Sequence, residues 1–120
     1  METTERSALK IHISSTDKMG SKLLYEYIVH EAKKKGISGV TVYRGIMGYG
    51  ASSSHISTSR YWELTEKLPV VIEMIDYTKV LEDFCSHLKP LLEETKKGVL
   101  VTMEPVRVVF QKTGSAKRSL

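Results

Sequence analysis

The hydrophobic period of this chain switches from two residues to about 3.6 and back again, twice, and few folds accommodate that order. Leu9, Ile11 and Ile13 alternate with Lys10, His12 and Ser14, the pattern of a strand with one buried side. Leu23, Leu24, Tyr27, Ile28 and Ala32 then recur at helical spacing up to Gly36, behind the N-cap candidates Ser15, Thr16 and Asp17. The other side of that helix carries Lys22, Glu26, His30, Lys33 and Lys34, a solvated face with an ion pair expected from Glu31 to Lys35. Val40, Thr41, Val42 and Tyr43 are strand formers again. A third strand is expected from Pro69 to Asp76, with Pro69 at its first residue where a missing N–H is tolerated. Asp76 can cap a second helix striped by Val80, Leu81, Phe84, Cys85 and Leu88, which Pro90 should end or kink. Gly98 to Met103 reads as a fourth strand, continued by Val106 to Phe110 after a break at Pro105.

That order, β-α-β-β-α-β, predicts an α+β fold of the ferredoxin-like kind, a four-stranded antiparallel sheet with both helices on one face. One domain suffices for 120 residues. It is expected at 9–110, between a flexible N-terminus at 1–8 and a flexible tail at 111–120. Two helices leave one sheet face uncovered, and the sequence puts Tyr43, Val71, Ile75 and Leu100 where that face would be. An open apolar face of this kind is expected to be an interface, so the chain reads as an oligomer.

The second strand dissolves into glycine. Gly39-Val-Thr-Val-Tyr-Arg-Gly-Ile-Met-Gly-Tyr-Gly50 leads into about eighteen residues without apolar periodicity, long enough to mark a functional or mobile loop. Glycines after a strand let backbone N–H groups approach an anion, so phosphate is one reading. A bulged strand end feeding a loop is the other, because Gly45-x-x-Gly48-x-Gly50 is not a dinucleotide fingerprint and the residues after it are too rich in Ser and Thr for a following helix. Arg44 falls on the Val40 and Val42 side, where it must snorkel to solvent, form an ion pair, with Glu73 as the candidate, or meet an anion.

Several function classes fit poorly. The net charge of +4 sits mostly in Lys33, Lys34, Lys35 and the terminal Lys112, Lys117 and Arg118, without interleaved aromatics, so nucleic acid is not the expected partner. No apolar run is long enough to span a bilayer and residues 1–10 lack the apolar core of a secretory signal, which suggests a cytoplasmic protein. Cys85, the only cysteine, should pack as a small apolar residue. His12, His30, His55 and His87 show no metal-ligand spacing. His55 among Ser52, Ser53, Ser54 and Ser57 lacks the rigid setting that a nucleophile requires, so no enzyme activity is expected.

Three stretches carry a family resemblance: residues 39–50 quoted above, Leu68-Pro-Val-Val-Ile-Glu-Met-Ile-Asp76, and Gly98-Val-Leu-Val-Thr-Met-Glu-Pro-Val-Arg-Val-Val109. Together they closely resemble the PII-like proteins grouped as domain of unknown function 190, over about Leu9 to Phe110. More distantly the chain is similar to the PII signal transducers, whose second strand ends in Gly-Phe-Gly, here Gly48-Tyr49-Gly50. The resemblance implies a homotrimer that binds ATP, ADP or AMP between subunits and docks a mobile T-loop onto a membrane transporter or enzyme. Residues 51–67 would be that loop, with Ser52, His55, Arg60 and Trp62 as candidate partner contacts. The family's glycine-rich phosphate loop falls at Thr95-Lys96-Lys97-Gly98, where one glycine remains and contact rests on Lys97 and the Gly98 N–H. Beyond strand four, Arg107 and Lys112 are the nearest counterparts of the phosphate-binding cations. The implied ligand set is therefore Arg44, Gly48, Tyr49, Gly50, Lys97, Gly98, Arg107 and Lys112. A ligand-independent trimeric scaffold and a divalent-metal binder resembling the CutA relatives are the alternatives.

Overall fold

The computed structural model describes residues 5–51, 55–58 and 67–115. Four strands, β1 (Arg6–Ser14), β2 (Val40–Arg44), β3 (Pro69–Tyr77) and β4 (Leu100–Val106), form one antiparallel sheet in the order β2-β3-β1-β4. Two helices, α1 (Leu24–Lys34) and α2 (Thr78–Glu94), supply the α layer. The expected ferredoxin-like architecture is the one observed.

The register explains the core. Leu9, Ile11 and Ile13 of β1 lie beside Val70, Ile72 and Met74 of β3, and these six pack with Leu24, Ile28 and Ala32 of α1 and Leu81, Phe84 and Leu88 of α2. Every one of these side chains is buried. Large apolar side chains of this kind contribute about 1.5–3 kcal/mol each by leaving water. The helix positions recur at three- and four-residue intervals, so the period that identified the helices is also the one that seats them.

Several local expectations give way to tertiary context. A two-residue ladder, Lys18–Met19 against Lys22–Leu23, separates β1 from α1. The helix therefore starts at Leu24 without a side-chain cap, and Asp17 instead accepts the Ser14 N–H through its carboxylate and the Leu24 N–H through its carbonyl. Asp76 does not cap α2 at a helical N–H either. It is buried, accepting N–H groups from Tyr77 at 2.7 Å and from Ser38 at 2.9 Å, and so ties the turn after α1 to the end of β3. Pro90 lies inside α2, which runs on to Glu94. Pro105 does not interrupt β4, because this is an edge strand and a proline costs it no ladder bond on the solvent side. The strand stops at Val106, and residues 107–110 belong to no strand. Glu31, expected to pair with Lys35 in solvent, is 8% exposed and bonds His87 and Lys34 instead. Gly36, at φ +83°, closes α1 with the Ile37 N–H bonded back to the Ala32 carbonyl.

The open face of the sheet is mixed rather than uniformly apolar. Tyr43, Ile75 and Leu100 are exposed on it as expected. Alternation also puts Lys10, His12, Thr41, Glu73, Thr102 and Glu104 there. Lys10 approaches Glu73 at 4.0 Å, and the Tyr43 hydroxyl donates to Glu73 at 3.2 Å, which raises the Tyr43 pKa chiefly through that hydrogen bond to a carboxylate.

Candidate functional site

The glycine-rich end of β2 is a built structure. Gly45 extends the β2–β3 ladder by donating its N–H to the Pro69 carbonyl at 2.7 Å. Its missing side chain is what allows the approach, since a Cβ there would lie 2.9 Å from the Pro69 ring. Gly48 packs on the same ring, where a Cβ would stand at 3.2 Å. Met47–Gly48 then pairs antiparallel with Ser57–Thr58, a short ladder at the foot of the loop. The returning chain is fixed by Leu68, whose N–H donates to the Ser15 hydroxyl at 3.0 Å and whose carbonyl accepts the Ser15 N–H at 2.8 Å. Both feet of the loop are therefore fastened to the same end of the sheet.

Around this root the surface is apolar and open. Ile46, Met47, Tyr49 and Ile56 are 55–75% exposed, more than side chains of these types usually are. Sequence reasoning singled out Tyr49 but passed over Ile46, Met47 and Ile56. For Ile46 and Met47 the signal was present, since large apolar residues between Gly45 and Gly48 have no core-facing neighbour to pack with. Gly50 and His55 are exposed. Ser52, Arg60 and Trp62 lie outside the described residues, as does most of 51–67.

Arg44 does not meet Glu73. The register sets Arg44 beside Val70 and Thr41 beside Glu73, so the two charged residues project from opposite faces of the sheet. Glu73 is engaged by Tyr43 and Lys10. Arg44 is exposed, and among the described residues it has no ion-pair partner.

The remaining candidates stand elsewhere. Lys97 and Gly98 are exposed, with the Lys97 N–H donating to the Thr95 hydroxyl at 3.2 Å, and they enter β4 just before Leu100. One row across the sheet runs Leu100, His12, Val71, Tyr43, so Lys97 and Gly98 share an end of the sheet with the loop root but occupy the opposite edge. Three strand spacings separate the edges, about 14 Å. Arg107 follows the row Val106, Arg6, Tyr77 at the other end, about 20 Å along the strands. Within one chain the fold thus gathers Arg44, Gly48, Tyr49 and Gly50, and leaves Lys97 with Gly98, and Arg107 with Lys112, as separate groups. Among the described residues no three His, Cys, Asp or Glu side chains gather in a way that could hold a metal ion, and no helix is long and apolar enough to cross a membrane.

The family model DUF190, described as "Uncharacterized ACR, COG1993", matches residues 6–108. A UPF0166 protein of Aquifex aeolicus (strain VF5) is 32% identical over 110 residues, which cover 92% of this chain and 99% of the relative. Two solved structures share the fold. A putative PII-like signaling protein from Thermus thermophilus aligns with a TM-score of 0.55 at 23% identity, covering 91% of this chain and 94% of that one. CPII from Thiomonas intermedia K12, bound to ADP and bicarbonate, aligns with a TM-score of 0.58 at 15% identity, covering 85% and 88%.

Proposed function

This chain belongs to the DUF190 family and has a PII-like fold, and from that premise we propose that it is a regulatory protein which binds an adenine nucleotide or similar anionic effector between copies of itself. It acts on a partner, a transporter or an enzyme, through the loop at 51–67. The observation that carries this reading is the division of the candidate residues. The loop root sits at the β2 edge, Lys97 and Gly98 at the β4 edge, and Arg107 at the far end of β4. Phosphate contacts drawn from more than one group converge when the β2 edge of one copy meets the β4 edge of the next. Such a contact is head to tail and makes a ring where the rotation between copies closes, the trimer being the ring that the resemblance implies. Exposed residues at Arg44, Lys97 and Gly98 supply the charge and the N–H donors that a phosphate needs. The apolar residues at the loop root give a purine ring or a partner surface something to pack on.

The test is calorimetric titration of the full chain with ATP, ADP and AMP, repeated on Arg107→Ala. Saturable binding of at least one nucleotide, weakened by the substitution, is the expected result. Absence of heat with all three, at concentrations into the millimolar range, removes the nucleotide reading.

A further inference from the structure

Two helices cannot cover four strands evenly, and on the helix side the thinly covered strip lies along β4. A helix with its side chains is about 10–12 Å wide, little more than two strand spacings. α2 packs chiefly on β1 and β3. Val101 stands beside Ile11 in the register and so faces the helix layer with it, yet Val101 remains 39% exposed. A groove of about 380 Å³ results, within the roughly 300–1,000 Å³ of small-molecule sites. Ile11 and Leu88, both buried, form its floor. Cys85 and Leu92 of α2 make one wall, and Val99 and Val101 the other. Lys89 and Glu93, both exposed, stand at its rim.

The two rim charges decide what such a groove can take. They lie one helical turn apart on α2, in the less favourable order with the lysine N-terminal to the glutamate. Among the described residues neither has an ion-pair partner. A free cation and a free anion therefore flank one apolar slot. We propose that the groove binds an α-amino acid with a large apolar side chain, its carboxylate on Lys89, its ammonium on Glu93 and its side chain between α2 and β4. An apolar acid lacking the ammonium would meet Glu93 as a like charge, and an apolar amine lacking the carboxylate would meet Lys89 as one. A nucleotide finds no phosphate donors on a floor of Ile11 and Leu88. The groove lies at the β4 edge on the helix side, away from the loop root at the β2 edge, so its ligand is distinct from the anionic effector.

Cys85, the sole cysteine, reports on the groove from its wall. Burial, and then the Glu82 charge, hold its thiol pKa above the ordinary value, so its labelling by N-ethylmaleimide is slow enough to time. The experiment measures that rate on the full native chain with L-leucine, L-phenylalanine, glycine or 4-methylpentanoate present, and the affinities by calorimetry. L-Leucine or L-phenylalanine should slow labelling at least about fivefold, following site occupancy, and glycine should not. 4-Methylpentanoate, which is leucine without its ammonium, should bind at least about tenfold more weakly. Lys89→Gln and Glu93→Gln change exposed positions, so circular dichroism should be unaltered while each weakens the amino acid about tenfold. Labelling that no amino acid slows, up to about ten millimolar, overturns the site. Equal protection by 4-methylpentanoate overturns the amino acid as occupant, and unchanged affinity in both folded variants overturns its placement at Lys89 and Glu93. A thiol that reacts only after unfolding shows the groove closed in the native protein, and overturns the proposal as well.

Discussion

Replacing Gly45 with alanine should destabilise the protein, although the same change at Gly39, just before the other end of β2, should stabilise it. An alanine Cβ at Gly45 would stand 2.9 Å from Pro69 Cγ and 3.5 Å from the Pro69 carbonyl oxygen. Carbon pairs favour about 3.5–4.0 Å, so β2 and β3 must part by several tenths of an ångström or the proline ring must repucker. The proline ring is not a free side-chain end, and parting the strands lengthens the 2.7 Å bond from the Gly45 N–H to Pro69. Overpacking of this kind costs about 1–3 kcal/mol, and the lost backbone freedom of the unfolded alanine chain returns about 0.4–1 kcal/mol. The net expectation is a loss of about 1–2 kcal/mol. At Gly39 a Cβ meets nothing within 4 Å, and the backbone there is not in the left-handed region. Only the unfolded-state effect remains, a gain of about 0.4–1 kcal/mol. Urea unfolding of both variants, fitted with a common slope, should separate them by about 2 kcal/mol. Amide exchange at position 45 should quicken in the first variant alone. Equal midpoints, or a Gly45→Ala protein as stable as its parent, would refute the claim that the glycine is required by the Pro69 contact.

Asp76→Ala removes the acceptor for two backbone donors, the Ser38 and Tyr77 N–H groups, and should cost about 2–4 kcal/mol by urea unfolding, with Asp76→Asn losing less. A second test concerns acid. Glu31 is held below its ordinary carboxylate pKa, chiefly by the hydrogen bond from His87 and then by that from Lys34. Because its folded pKa is depressed, its contribution is complete above the ordinary value of 4.5 and is lost as the pH falls through the folded value. His87→Ala should flatten the dependence of stability on pH in that acid window, and an unchanged slope would show that the pair is not what lowers the Glu31 pKa.

The element order is legible because burial imposes its period directly on the sequence, as Leu9, Ile11 and Ile13 do on β1 and Leu81, Phe84 and Leu88 do on α2. Polar residues are harder to place, since their local preferences compete with distant partners that no spacing records. Asp76 has the residue type of a helix cap, yet it serves Ser38 across the fold. Glu31 reads as a solvent carboxylate until His87 arrives from the other helix. Arg44 and Glu73 read as a pair because they lie on neighbouring strands, and a register offset of three residues, an odd number, puts them on opposite faces. Pro105 reads as a strand breaker because its edge position depends on the sheet order, which the local sequence does not carry. Of the candidate site, the loop root is legible as a glycine cluster after a strand. The distances between its groups are not, for these too depend on the sheet order.

On the proposed intersubunit site, that division among groups would tie ligand affinity to assembly. If contacts from two copies hold one effector, binding and association belong to one thermodynamic cycle, and each must change the other by the same factor. Assembly favoured about tenfold by nucleotide therefore means nucleotide bound about tenfold more tightly by the assembled form. Dilution of the full chain through its dissociation range should then weaken apparent nucleotide affinity, and saturating nucleotide should shift the dissociation midpoint downward by a matching amount. Mass photometry and titration on the same samples measure the two factors independently. A site formed wholly within one copy would show nucleotide affinity that does not change with protein concentration, and that outcome would place the phosphate contacts in a single one of the three groups.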